Sequence, residues 1–235
     1  MTSRFRLLLV LGVALGAAVL STGKASAAMV STDTPAGPWL GFMNVFNIDR
    51  SGPVPVAADF VFPSGWGVGD LNASFAGPNV TLSPNTIGDP DPFWYTPSGG
   101  PGSLGNKWME ANLYKQVDDD SLSGTTVTFS ANVLSNTFTA NHTAKAFIRD
   151  FAPDFSSFTF SETLLTPGVF SISLATAAGP GRHVQFGFQV QGENVWFTEV
   201  APFGSATIAP VPEPSSAILS LVGLAGLCAR RRRDS

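Results

Sequence analysis

Apolar and polar residues alternate along three stretches of the chain, residues 126–133, 170–174 and 183–191. Successive side chains of a strand point to opposite faces, so each stretch predicts a half-buried antiparallel strand with its apolar face inward. Weaker patterns predict further strands at 39–48, 56–62, 68–75, 108–117, 145–150, 158–161, 195–199 and 205–208. Between residues 28 and 210 no helical period is sustained, and Gly/Pro turns separate the strands. The pattern predicts an all-β antiparallel sandwich of jelly-roll type.

Residues 83–106 interrupt this strand pattern with five prolines and five glycines. Loops of that length in a compact domain are usually functional or disordered. We therefore predict that this segment is one long loop, either functional or disordered. The region of residues 28–210 has the length of one domain.

The N-terminus carries basic residues, then an apolar run at 7–20, and then the small triplet Ala25-Ser26-Ala27. This order is typical of a secretory signal peptide. It predicts a signal peptide over residues 1–27, cleavage between Ala27 and Ala28, and export of the chain.

The C-terminus has three consecutive features in residues 211–235. Val211, Pro212, Glu213, Pro214 and Ser215 form an extended, proline-fixed segment. Residues 216–229 follow as an apolar transmembrane run, about 20 Å long as a helix and shorter than the ~30 Å hydrocarbon core. A membrane-stop cluster follows, formed by Arg230, Arg231, Arg232 and Arg233. Its positive charge keeps this end of the chain on the cytoplasmic side of the membrane.

This tail closely resembles the PEP-CTERM sorting signal. The resemblance implies recognition and cleavage by an exosortase after transport by the secretion machinery. It further implies transient anchoring in the inner membrane and final placement at the cell surface, in the extracellular matrix or outside the cell. An ordinary C-terminal tail anchor is the alternative.

Charge and cysteine content exclude one class of ligand and one source of stability for residues 28–210. The whole chain carries −4, but this region has six basic and fifteen acidic residues, a net charge of −9. Such a domain is unsuited to binding nucleic acid through bulk charge. Cys228 is the sole cysteine, so no disulfide supports the domain.

Residues 122–133, 195–200 and 106–110 resemble strands of galactose-binding-like jelly-roll carbohydrate-binding modules. The resemblance implies sugar binding, although the acidic pair usual in the closing strand is reduced to Glu199. The candidate sugar-binding residues are Trp94, Tyr95, Gln185 and Gln189. Trp94 and Tyr95 could instead plug the end of the sandwich, and the glutamines could form a plain solvated face.

Two acidic groups are candidate ligands for a structural calcium ion, which takes six to eight oxygen ligands. They are Asp118, Asp119 and Asp120 at a strand end, and Asp89 and Asp91 in the long loop. The alternative is that both groups lie in solvated turns.

No catalytic motif stands in its required context. Residues 100–105 match G-x-G-x-x-G without a strand–helix setting, and the four glutamates of residues 28–210 show no spacing that singles out a glycosidase pair. We therefore expect a non-catalytic surface or matrix protein that binds exopolysaccharide. A self-assembling structural surface or biofilm protein is the first alternative, and a glycoside-active enzyme the second.

Overall fold

The computed structural model describes residues 26–34 and 36–211. Within them lie fourteen strands and two short 3-10 helices, at Val68–Leu71 and Ala201–Phe203. The strands are β1 Ser26–Val30, β2 Leu40–Asp49, β3 Val56–Gly65, β4 Ala73–Ala76, β5 Asn79–Leu82, β6 Tyr95–Thr96, β7 Leu104–Gly105, β8 Lys107–Val117, β9 Thr125–Asn136, β10 His142–Phe151, β11 Phe158–Leu164, β12 Gly168–Ala175, β13 His183–Glu193 and β14 Ala206–Ala209. The described part of the chain is all-β, as the alternation predicts.

Two large sheets form a sandwich. The first sheet is antiparallel throughout, in the order β11-β10-β13-β8-β2-β3. It is the sheet called the six-stranded sheet below, although the second sheet, which includes β1 and β12, also has six strands. In the second sheet β9 pairs with β12 along one edge, and β14, β5 and β4 continue from its other edge. β1 pairs with β9 in parallel at residues 125–129, beside the stretch that pairs with β14. This parallel pair is the exception to the predicted antiparallel arrangement.

The core lies between the two sheets and comes from the alternating stretches. Val127, Phe129 and Ala131 of β9 are fully buried, and the Phe129 ring lies 5.6 Å from the rings of both Phe186 and Phe188 of β13. Residues two apart share a face, so the 183–191 alternation places its phenylalanines against β9. The same alternation sends Gln185 and Gln189 to the outer face.

Two strand predictions were wrong in detail. Residues 68–75 form a 3-10 helix followed by the start of β4, because Asn72 has a left-handed φ of 53° that ends the helix. Residues 195–199 do not form a strand. Val195 makes one parallel bridge with Thr86, and the chain then turns.

Residues 83–106 fold against one end of the sandwich. Tyr95 starts β6, which pairs with β7, and its hydroxyl lies 2.8 Å from the Ile87 carbonyl oxygen and 3.1 Å from that of Val195. Its ring packs edge-on against Trp196 at 5.3 Å between centroids. The segment therefore closes the core as a packed loop.

Both predicted processing regions lie largely outside the described residues. Residues 1–25 and 212–235 are not described, and the predicted cleavage between Ala27 and Ala28 falls inside β1. Signal-peptide cleavage stays a prediction. Among the described residues, no helix has the length and apolar character that crossing a membrane requires.

Candidate functional site

The outer face of the six-stranded sheet carries a ladder of polar side chains across β13 and β8. Three pairs stand directly opposite one another: Gln185 with Gln116, Gln189 with Asn112, and Gln191 with Glu110. In each pair the glutamine of β13 donates its side-chain N–H to the oxygen opposite, at 2.8, 2.9 and 2.8 Å respectively. These cross-strand bonds fix the amide planes and hold the face in one arrangement.

Arg149 of β10 extends this ladder as its cationic member. Its Nη1 donates to Asn112 Oδ1 at 2.9 Å, and its guanidinium lies 4.0 Å from the centre of the Phe147 ring. Burial lowers the pKa of Arg149, while the carboxylates of Glu110 and Glu162 raise it. An arginine stays protonated in proteins, so the face keeps a positive charge close to two acidic groups.

Gly187 separates the two glutamines of β13 and lies opposite Tyr114. A Cβ atom at Gly187 would meet the Leu113 carbonyl oxygen at 2.1 Å, so only glycine lets the two strands approach this closely. Burial raises the pKa of Tyr114, which keeps its phenol neutral and able both to donate and to accept a hydrogen bond.

Aromatic rings border the ladder at one end. Phe151, Phe155 and Phe158 form a cluster with ring centroids 4.9–5.5 Å apart in the two contacting pairs. Phe155 stacks on His183 at 4.1 Å, and His183 Nδ1 lies 2.7 Å from Asp118 Oδ1. The loop that carries Phe155 is therefore tied to the ends of β8 and β13.

Ladder and rings together line a groove of about 690 Å³. Its lining residues are Leu40, Phe42, Asn44, Glu110, Asn112, Tyr114, Gln116, Arg149, Phe151, Phe155, Phe158 and Gln185. The groove joins amide, carboxylate, guanidinium and phenol groups to aromatic rings on one rigid sheet. This combination suits a ligand that has both hydroxyl groups and apolar ring faces.

The structure divides the predicted sugar-binding residues. Gln185 and Gln189 lie in the ladder, and Gln185 lines the groove, but both are paired and nearly buried rather than solvated. Tyr95 is fully buried, so it follows the alternative and plugs the end of the sandwich instead of facing a sugar. Trp94 is half-buried, edge-on to the Phe93 ring at 4.7 Å, at the end of the sandwich and outside the groove.

The predicted calcium ligands do not converge. The carboxylates of residues 118–120 bond separately to His183, to the Ser121 backbone N–H and to the Arg182 backbone N–H. Asp89 and Asp91 each accept the backbone N–H two residues ahead. Throughout residues 26–34 and 36–211, no group of three or more His, Cys, Asp or Glu side chains could hold a metal ion.

The sequence prediction missed most of the polar side chains of the groove, among them Glu110, Asn112, Tyr114 and Gln116 of β8 and Arg149 of β10. A signal was present, because the four β8 residues recur at every second position, and the glutamines of β13 share one face at positions 185, 189 and 191. Two such polar stripes on neighbouring strands would have indicated a polar sheet face.

Comparison with known families identifies a motif in the C-terminal tail. Residues 210–233 match the PEP-CTERM protein-sorting motif. No curated protein matches the chain. The chain thus carries the predicted sorting tail, which implies export, passage through a membrane during sorting, and processing by an exosortase.

Proposed function

We propose that this exosortase-sorted protein is a non-catalytic polysaccharide-binding protein of the cell surface or extracellular matrix, and that the groove on the six-stranded sheet is its binding site. The observation that carries the proposal is the fixed amide ladder beside the Phe151–Phe155–Phe158 cluster. Sugar hydroxyls would bond to the amides, Arg149 and Tyr114. The ring of Phe155 would lie against an apolar sugar face.

The charges of the residues that line the groove favour a neutral or mixed-charge sugar as the ligand. Arg149 is its cation, Glu110 its anion, and the other polar lining groups are uncharged amides and a phenol. A strongly anionic polymer would meet both Glu110 and the net charge of −9 over residues 28–210. We therefore propose a glycan that is recognised mainly through its hydroxyl groups.

The glutamates of the chain support a binding rather than a hydrolytic role. Glu193 is nearly buried and paired with Arg50, and Glu199 accepts the Gly102 backbone N–H. Glu110, the glutamate that lines the groove, accepts bonds from Asn44 and Gln191. Glu162 is paired with Lys145. Hydrolysis usually needs two carboxylates that flank the scissile bond, roughly 5–9.5 Å apart, and among the described residues Glu110 is the one acidic residue that lines the groove.

Retention on immobilised neutral and acidic polysaccharides tests the proposed site. The variant Phe155→Ala removes a groove ring that is 48% exposed, and Phe197→Ala removes a ring that is 56% exposed outside the groove. We expect Phe155→Ala to weaken binding by about tenfold, the equivalent of ~1.4 kcal/mol, and Phe197→Ala to leave it unchanged. Equal retention of both variants and the unaltered protein would reject the groove as the site.

A separate experiment tests the processing step. Alanines replace Pro212, Glu213 and Pro214, and the mass of the chain is compared between cells with and without an exosortase. We expect the unaltered chain to be shortened only in cells with the enzyme, and the variant to keep its full length in both. If the variant were shortened in cells with the exosortase, cleavage would not depend on the motif, and this part of the proposal would be wrong.

A further inference from the structure

Strand β11 is an edge of the six-stranded sheet, and no strand of the described residues pairs with its outer side. The Leu165 N–H donates to the Ala144 oxygen and the Ala152 N–H to the Ser157 oxygen, both at 2.9 Å. Backbone bonds alternate along an antiparallel pair, so the odd-numbered residues of β11 bond to β10. Residues 158, 160, 162 and 164 therefore direct their N–H and C=O groups outward.

This edge has few of the features that usually block strand addition, since its one charged residue, Glu162, is paired with Lys145 of β10. Its register with β10 is regular, and it has no proline or lysine. Phe158, Phe160 and Leu164 are 49%, 56% and 57% exposed. The opposite edge, β3, differs: it carries Asp59 and Pro63 and pairs irregularly with β2.

We propose that β11 is a self-association strand, which pairs antiparallel with β11 of a second copy about a two-fold axis through Ser161. In this register Phe158 faces Leu164, Phe160 faces Glu162, and Thr159 faces Thr163. All four outward-bonding residues of each strand then meet outward-bonding residues of the other. The apolar residues at the two ends of the strand cover each other.

Charge selects this register over its neighbour. Sliding the strands by two residues, to centre on Glu162, would place two like carboxylates directly opposite and leave Phe158 outside the pairing. Sliding the other way, to centre on Phe160, would leave Leu164 outside the pairing. Centring on Ser161 pairs the whole strand and keeps the two glutamates from standing directly opposite each other. A second copy of this chain thus matches the edge in hydrogen bonding, apolar pattern and charge.

The dimer goes beyond the proposed binding function. It joins two six-stranded sheets edge to edge, with the outer face of each continuing into the other. Phe158 lines the groove and also belongs to the paired edge. Two grooves on one rigid sheet would hold a long polymer more tightly than one groove through effective concentration.

Cysteine cross-linking of the full chain in detergent tests the register. In a Cys228→Ser background, Ser161→Cys places two thiols at the axis, where non-hydrogen-bonded Cα atoms lie about 4.5 Å apart, within disulfide range. Thr163→Cys is the matched control, because Thr163 is half-buried on the same face of β11 but would lie opposite Thr159. We expect covalent dimer from the first variant at least tenfold faster than from the second.

A charge pair tests the contact at Phe160. Phe160→Glu sets carboxylates opposite Glu162 on both sides of the axis, whereas Phe160→Lys sets an ammonium there, and both remove the same ring. Sedimentation should show the dimer dissociation constant raised at least about tenfold by Phe160→Glu relative to Phe160→Lys. A chain monomeric at every concentration, equal cross-linking at positions 161 and 163, or equal effects of the two charges would each overturn the proposal. Failure of glycan retention would leave these results unaffected.

Discussion

The buried ion pair between Asp150 and Arg182 allows a quantitative prediction. Asp150, on β10, has no exposed surface, and Arg182 precedes β13 with a side chain 15% exposed. Arg182 binds the carboxylate with two nitrogens: Nη2 lies 2.8 Å from Oδ2, and Nε lies 2.9 Å from Oδ1. The Ala177 N–H adds a third bond to Oδ2 at 2.7 Å. The carboxylate thus fastens the 176–182 loop to the six-stranded sheet.

Replacing Arg182 with methionine keeps an apolar side chain of similar length and leaves the Asp150 carboxylate buried with one remaining donor. Breaking a buried pair in this way costs about 3–5 kcal/mol, because the charge left behind has lost its counterion. The double variant Arg182→Met/Asp150→Asn should lose less than Arg182→Met alone. Its neutral amide needs no counterion, and its oxygen can still accept the Ala177 N–H.

Urea unfolding followed by tryptophan fluorescence measures these free energies of unfolding. The reasoning requires Arg182→Met to be the less stable of the two variants. If it lost under about 1 kcal/mol, the pair would behave like an exposed salt bridge, and the inferred burial of the carboxylate would be wrong. If the double variant were the less stable, the unpaired charge would not be the cause of the loss.

Three further predictions concern the core and the sheet face. Tyr95→Phe leaves a buried backbone N–H without its acceptor and should lower the free energy of unfolding by about 1–3 kcal/mol in the same urea assay. Gly187→Ala should cost a similar ~1–3 kcal/mol, since its Cβ overlaps the neighbouring strand; an unchanged midpoint would contradict that close approach. Burial lowers the pKa of His142 below its ordinary value of 6.5, so the unfolded chain binds the proton more readily. Stability should therefore decrease as the pH falls below about 6.5, by at most ~1.4 kcal/mol per pH unit, and His142→Gln should lack this part of the slope.

Strand prediction succeeded where one apolar stripe faces the core. In β9 each buried residue alternates with a polar one, and the structure buries the predicted face. It failed at residues 195–199, where one apolar pattern had two possible outcomes. There Trp196 packs on Tyr95 at the end of the sandwich instead of on a neighbouring strand. The pattern shows that a residue needs burial and does not show which partner buries it.

The candidate site was harder to predict because its parts are distant in sequence. Gln185 and Gln116 are 69 residues apart, and Arg149 reaches Asn112 across 37. Each lies on a strand whose polar stripe alone fits a solvated surface equally well. Pairing β8 with β13, and β13 with β10, brings the stripes together and turns them into a bonded face.

The sequence by itself determined that the described part of the chain is all-β, which faces of its clearest strands are buried, and that residues 210–233 carry a sorting motif. These features are local: alternation acts over a few residues, and the motif lies in one continuous segment. Only the tertiary structure decided that Tyr95 is buried, that the amides pair across the sheet, and that β11 is an edge with no neighbouring strand on its outer side among residues 26–34 and 36–211. These outcomes depend on which strands become neighbours, and that choice rests on packing between residues far apart in the chain.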